Sequence, residues 1–166
     1  TTSAIYLGED CLNLDLALEY SLKAVKEYEK LCEVNYLPNA SNLAMAYLQL
    51  AIVYKALTNY TEAEKYTQKA IFIREKMADI EPDMFTPALV DSYTQLGNMY
   101  LSLKQYADAE KYLALAKDKI MVFLQKDKET YTPIISNICK SLVEVYCETD
   151  MIEKADAVYP YAAIHN

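Results

Sequence analysis

The sequence predicts an all-α chain in which antiparallel helix pairs stack as a solenoid, about 3.5 units of 46 residues each. Three observations predict it. Two Gly and five Pro in 166 residues leave too few turn formers for a protein of many hairpins. A shift of 46 residues brings small and aromatic positions of the chain into register with themselves, the signature of a repeat architecture. Within each unit two alanines of that register lie seven apart, which is two helical turns.

Ala17, Ala63, Ala109 and Ala155 form one column of that register, and Ala24, Ala70, Ala116 and Ala162 a second. Tyr54, Tyr100 and Tyr146 form a third, Leu50, Leu96 and Leu142 a fourth, and Tyr20, Tyr66 and Tyr112 a fifth that lapses to Val158. Leu31, Met77 and Phe123 continue the pattern. The alanines have a mechanical reason: a methyl group at a helix crossing lets two axes approach to the short end of the 8–10 Å range. A single helix pair is too thin to cover its own apolar face, so the units become stable only together.

Taken in order, residues 1–10 are expected to be the remnant of a first helix A, followed by a helix B near 14–34. Further A helices are placed near 41–57, 87–103 and 133–148, and B helices near 61–80, 107–126 and 152–164. Thr86 before Pro87 and Thr132 before Pro133 read as N-caps followed by proline at the first helical position. Thr61 and Glu64 fit a capping box for the second helix B. Pro160 should end or bend the last helix near Tyr159. The units are then 1–38, 39–84, 85–130 and 131–166, a single domain over 1–166 that is expected to be a fragment of a longer protein.

Composition excludes several functions. Sixteen Lys and Arg against 24 Asp and Glu give a net charge of -8, the wrong sign for neutralising phosphates, so no nucleic acid is expected as partner. Val34 to Tyr54 is long enough to span a membrane, but Asn35, Pro38, Asn39, Ser41, Asn42 and Gln49 interrupt it, so no membrane insertion is expected. Cys11, Cys32, Cys139 and Cys147 lack metal-site spacing and read as buried free thiols, which favours a reducing cytoplasm. The one histidine, His165, is penultimate, where a frayed end holds no catalytic geometry. Gly8 and Gly97 cannot make a phosphate loop, and Asp79, Glu81 and Asp83 lack the glycine and distal glutamate of a calcium loop. No catalytic residue, metal or cofactor is expected, and the chain does not read as an enzyme. The 16 tyrosines fall mostly in the packing columns rather than in a ligand cage.

Leu50-Ala51-x-x-Tyr54 with Ala63 and Ala70, and Leu96-Gly97-x-x-Tyr100 with Ala109 and Ala116, resemble the tetratricopeptide repeat family. The fourth unit keeps Leu142, Tyr146, Ala155 and Ala162, but Val143 takes its small-residue position. At 46 residues the unit is longer than the family's usual 34, so helix B and the following loop are extended. Tyr60 to Lys76 looks like the long-repeat branch typified by kinesin light chains. The resemblance implies a right-handed, TPR-like solenoid whose A helices line a concave face that binds protein or peptide. It does not extend to the carboxylate clamp of some members, since only Asn98 matches while Ile52 and Glu144 occupy the equivalent positions.

On that concave face, Met45, Leu48 and Ile52 form a second apolar stripe on the helix A of residues 41–57. The matching positions are Asp91, Thr94 and Asn98, with Gln95 beside them, and then Asn137, Lys140 and Glu144. The expected groove therefore grades from apolar to polar, suited to a peptide or helix with an apolar anchor and a polar part. Residues 1–10, an upstream repeat or a second copy of the chain, as a homo-oligomer, would equally cover the stripe. The leading expectation is a protein-interaction scaffold; the alternative is a peptide-sensing lobe of a transcriptional or signalling regulator.

Overall fold

The computed structural model describes residues 2–163, with side chains from Asn13 onward, so the expectations resting on Cys11 and His165 lie outside the described residues. The described residues form helices α1 (Thr2–Val34), α2 (Tyr36–Ala56), α3 (Tyr60–Ile80), α4 (Pro82–Ser102), α5 (Tyr106–Lys126), α6 (Lys128–Glu148) and α7 (Ile152–Ala162), and include no strand. The all-α fold of paired helices is as expected. Its boundaries keep the repeat more closely than the side chains do: α2, α4 and α6 each begin 46 residues after the last, and so do α3, α5 and α7.

Helix α1 departs from expectation. No break separates a remnant helix A at 1–10 from a helix B at 14–34; the backbone is helical from Thr2 to Val34. Only Gly8 weakens that stretch, and one glycine costs a helix about 1 kcal/mol, too little to end it. The column positions of α1 accordingly stay open. Ala17 and Ala24 are half-buried and Tyr20 is 66% exposed, whereas Ala63, Ala70, Ala109 and Ala116 are buried.

The A helices start five residues earlier than expected. Thr86 and Thr132 do not cap them, because Glu81 and Asp127 stand at the N-cap positions and Pro87 and Pro133 lie inside α4 and α6. Near its start a helix loses only one backbone bond to such a proline, and the packed turns beyond it outweigh that loss. In α4 another proline, Pro82, takes the first position. The Asp127 side chain accepts a hydrogen bond from the Thr130 amide at 3.1 Å. Hydrogen bonds from Thr130 hold the Asp127 carboxyl below its ordinary range. A folded-state pKa below the unfolded one adds stability at neutral pH that fades as the carboxylate protonates. Asp127→Ala should therefore lower the melting temperature at pH 7 and lower it less at pH 3.

At the start of α3 the capping box of Thr61 is not used: Asn59 precedes the helix and its Oδ1 accepts from the Glu62 amide at 3.3 Å. Pro160 does not end α7, which runs on to Ala162; only two residues follow the proline, so few bonds are lost.

Each A helix passes to its B helix through the same turn. Thr58, Lys104 and Asp150 take φ of 58°, 59° and 55°, the left-handed region that glycine favours. The Asn59, Gln105 and Met151 amides reach back to the carbonyls of Tyr54, Tyr100 and Tyr146 at 2.9 Å or less. This is a Schellman closure in which the left-handed residue carries a side chain at a cost of roughly 1–2 kcal/mol. Thr58, which is β-branched, is the most strained. Thr58→Gly should raise stability by about 0.5–1 kcal/mol after the added chain entropy, a rise in melting temperature of about 1–4 °C.

The chain divides into two compact units, residues 1–77 and 78–166. In the first, α1 packs on α2, and Tyr66 of α3 lies 5.7 Å from both Tyr47 and Tyr54 of α2. Leu43, Ala44, Leu50, Ala51, Ala63 and Ala70 are buried with them. The Tyr47 hydroxyl donates to Glu29 of α1 at 2.7 Å. In the second unit α4, α5, α6 and α7 pack each on the next, and α4 also touches α6. Tyr112 repeats the role of Tyr66, lying 6.1 Å from Tyr93 and 5.8 Å from Tyr100. Gly97 lets α5 come close: a Cβ there would stand 2.6 Å from Leu113 Cγ.

Candidate partner-binding faces

On α2 the apolar stripe is only partly open. Met45 is 53% and Ile52 49% exposed, but Leu48 is 4% exposed and belongs to the core. The correction follows from helix geometry: at about 100° per residue, Leu48 lies roughly 60° round from Met45 on the side of Ala44 and Ala51, both buried. The expected three-residue stripe is a pair, Met45 and Ile52.

In the second unit the expected polar positions lie on two neighbouring A helices. Asp91 and Asn98 of α4 are exposed and Gln95 is half-buried, with its Nε2 donating to Asp91 Oδ2 at 2.8 Å. On α6, Asn137, Lys140 and Glu144 are all exposed. Lys140 and Glu144 form no ion pair with each other among the described residues, although their spacing suits one. Both helices turn their apolar positions inward, among them Leu89, Val90 and Leu96 on α4 and Ile135, Ile138 and Leu142 on α6. Asn98, Asn137, Lys140 and Glu144 stay exposed to solvent on these two helices. Exposed amide, carboxylate and ammonium groups on one pair of helices can satisfy the donors and acceptors of a peptide backbone and set a charge preference.

The cysteines are only partly as expected. Cys139 is buried and Cys32 half-buried, but Cys147 is exposed. Burial pushes the Cys139 thiol up to about 11. The thiolate is the reactive form, so iodoacetamide should modify Cys147 of the native chain readily and Cys139 only as fast as the second unit opens. Mass spectrometry of timed digests distinguishes the two. Among the described residues no group of His, Cys, Asp and Glu could hold a metal ion, and no helix is long and apolar enough to cross a membrane.

A groove of about 550 Å³ in the first unit is lined by Tyr36 and Tyr47 of α2 and by Lys65, Lys69, Phe72 and Lys76 of α3. The legible signal was the lysine spacing, four and then seven residues, which keeps all three on one side of α3.

The tetratricopeptide repeat family matches this sequence at residues 43–79 and 89–118. These segments are tetratricopeptide repeats. The matched residues contain the Leu50, Ala51, Tyr54 and Leu96, Gly97, Tyr100 anchors together with the alanines of both crossings. Eight solved chains match the fold. Among them is BtubC (BKLC) from P. vanneervenii, with a TM-score of 0.66 and 17% identity, covering 90% of this chain. The match takes in 55% of that chain, so this chain spans about half of its length. At that identity the likeness bears on the fold alone. No curated protein matches the sequence. Tetratricopeptide repeats generally mediate protein–protein interaction, and their helical fold is typically a non-catalytic scaffold.

Proposed function

We propose that this chain is a non-catalytic module that holds a peptide or helix of another protein against the exposed sides of its A helices. The observation that carries this reading is the exposed polar set on neighbouring A helices: Asn98 on α4, and Asn137, Lys140 and Glu144 on α6, with Asp91 and Gln95 hydrogen-bonded to each other on α4. Buried columns hold these helices in place, so their outer side chains are presented on rigid elements, which lowers the ordering cost of binding. Met45 and Ile52 give α2 of the first unit an apolar contact of its own. The free thiols suit a reducing cytoplasm.

The test is selection of peptides from a displayed random library against the whole chain, followed by affinity measurement on Asn98→Ala and Lys140→Glu. Both positions are exposed, so melting temperature should hold while the selected peptides weaken tenfold or more. Peptides that bind both variants as tightly as the parent chain would overturn this face as the site.

A further inference from the structure

The groove between α2 and α3 lies on a different side of the molecule's first unit from Met45 and Ile52. Tyr36 and Tyr47, eleven residues apart, share one side of α2, and Tyr47 is about 200° round from Met45. We propose that this groove docks an acidic segment of another protein, with carboxylates on Lys69 and Lys76 and an apolar side chain seated on Phe72.

Charge complementarity carries the choice of occupant. The groove's lining holds three lysines and no carboxylate, in a chain whose net charge is -8. Lys65 is already held by Glu62 at 2.9 Å, whereas Lys69 and Lys76 meet no carboxylate among the described residues. Their ammonium groups instead sit over aromatic rings. Lys69 Nζ is 5.1 Å from the Tyr47 ring centre and 5.2 Å from that of Tyr66, and Lys76 Nζ is 4.2 Å from that of Phe72. Such contacts orient a cation without neutralising it. Between the two lysines Phe72 is 57% exposed, a large apolar surface on an otherwise polar helix side.

The fold does not require this set. Forty-six residues on, Lys69, Phe72 and Lys76 become Leu115, Asp118 and Val122, while the tyrosine stack of the same helix pair recurs intact as Tyr93, Tyr100 and Tyr112. The packing is kept and the groove chemistry is not. Spacing gives the ligand a pattern. Lys69 and Lys76 are about 10.5 Å apart along the helix with Phe72 between them. An extended peptide places alternate side chains on one side roughly every 6.6–6.8 Å. The sequence acid, any, apolar, any, acid then spans the site, and the flexible lysine stems absorb the difference of a few ångströms.

The probe is a blocked, fluorescein-labelled peptide with glutamate at both ends, phenylalanine at its centre and serine between, titrated with the whole chain and read by fluorescence anisotropy. Saturable binding should appear, weaken at least tenfold in the Lys69→Glu, Lys76→Glu double variant and about fivefold in Phe72→Ser, and stay within twofold in Lys140→Glu. All these positions are exposed, and the melting temperature of each variant confirms folding. A peptide with lysine in place of glutamate should not bind. Absence of saturable binding at millimolar chain, or equal binding by the folded double variant, overturns the inference. Loss in Lys140→Glu alone would move the peptide to the A-helix face and leave the groove empty, so this inference would fail while the face on α4 and α6 stood.

Discussion

Leu113→Ala should destabilise the chain by about 2–5 kcal/mol, the largest single effect expected here. Leu113 is fully buried where α5 meets α4, and the glycine facing it leaves no side chain able to collapse into the space. Gly97→Ala should cost about 1–2 kcal/mol for the opposite reason, since its methyl group would meet Leu113 Cγ at 2.6 Å and the overlap exceeds the gain in helix propensity. The double variant should lose less than the two separate losses combined, because truncating Leu113 makes the room that the new methyl group needs. Denaturant unfolding of the four proteins measures that coupling, expected at about 1 kcal/mol or more. Simple additivity would mean that α4 and α5 do not meet at Gly97.

Ala109→Leu is the second. Ala109 has no exposed surface, and three added carbons have nowhere to go between close-packed helices, so a loss of about 1–3 kcal/mol is expected. The same exchange at Ala17, a column position left half-open on α1, should cost less than half as much. Equal losses at the two sites would mean that column membership rather than burial sets the cost.

That contrast between Ala17 and Ala109 also shows how far the sequence could be read. Columns at a fixed interval located the paired helices because small residues at crossings leave a periodic trace, and Ala63, Ala70, Ala109 and Ala116 are buried as the register requires. The helix starts are not legible because Thr86-Pro87 and Thr132-Pro133 carry a strong local start signal, yet Pro82 and Asp127 lie upstream and the packed turns tolerate one missing amide. No local signal marked the turns at Thr58, Lys104 and Asp150, because none of them is glycine. Residue spacing alone puts Leu48 on the stripe of Met45 and Ile52, yet it is buried. A position 60° off the centre of a stripe is decided by what packs beside it, which one helix's spacing does not reveal. The lysine and aromatic groove needed two helices at once, since Tyr36 and Tyr47 come from α2 and the lysines from α3.

The recurrence of the starts of α2 to α7 at one interval also makes that part of the chain divisible into interchangeable cassettes. Residues 82–127 begin with Pro82 and end on Asp127, the cap of the helix that follows. Splicing a second copy of that stretch after Asp127 would keep an acidic cap at each junction, since the inserted α4 would receive Asp127 where the native one has Glu81 and the displaced α6 would keep an aspartate. Stability in such arrays grows by repeat and interface terms, so a lengthened protein of this kind would gain cohesion with each cassette.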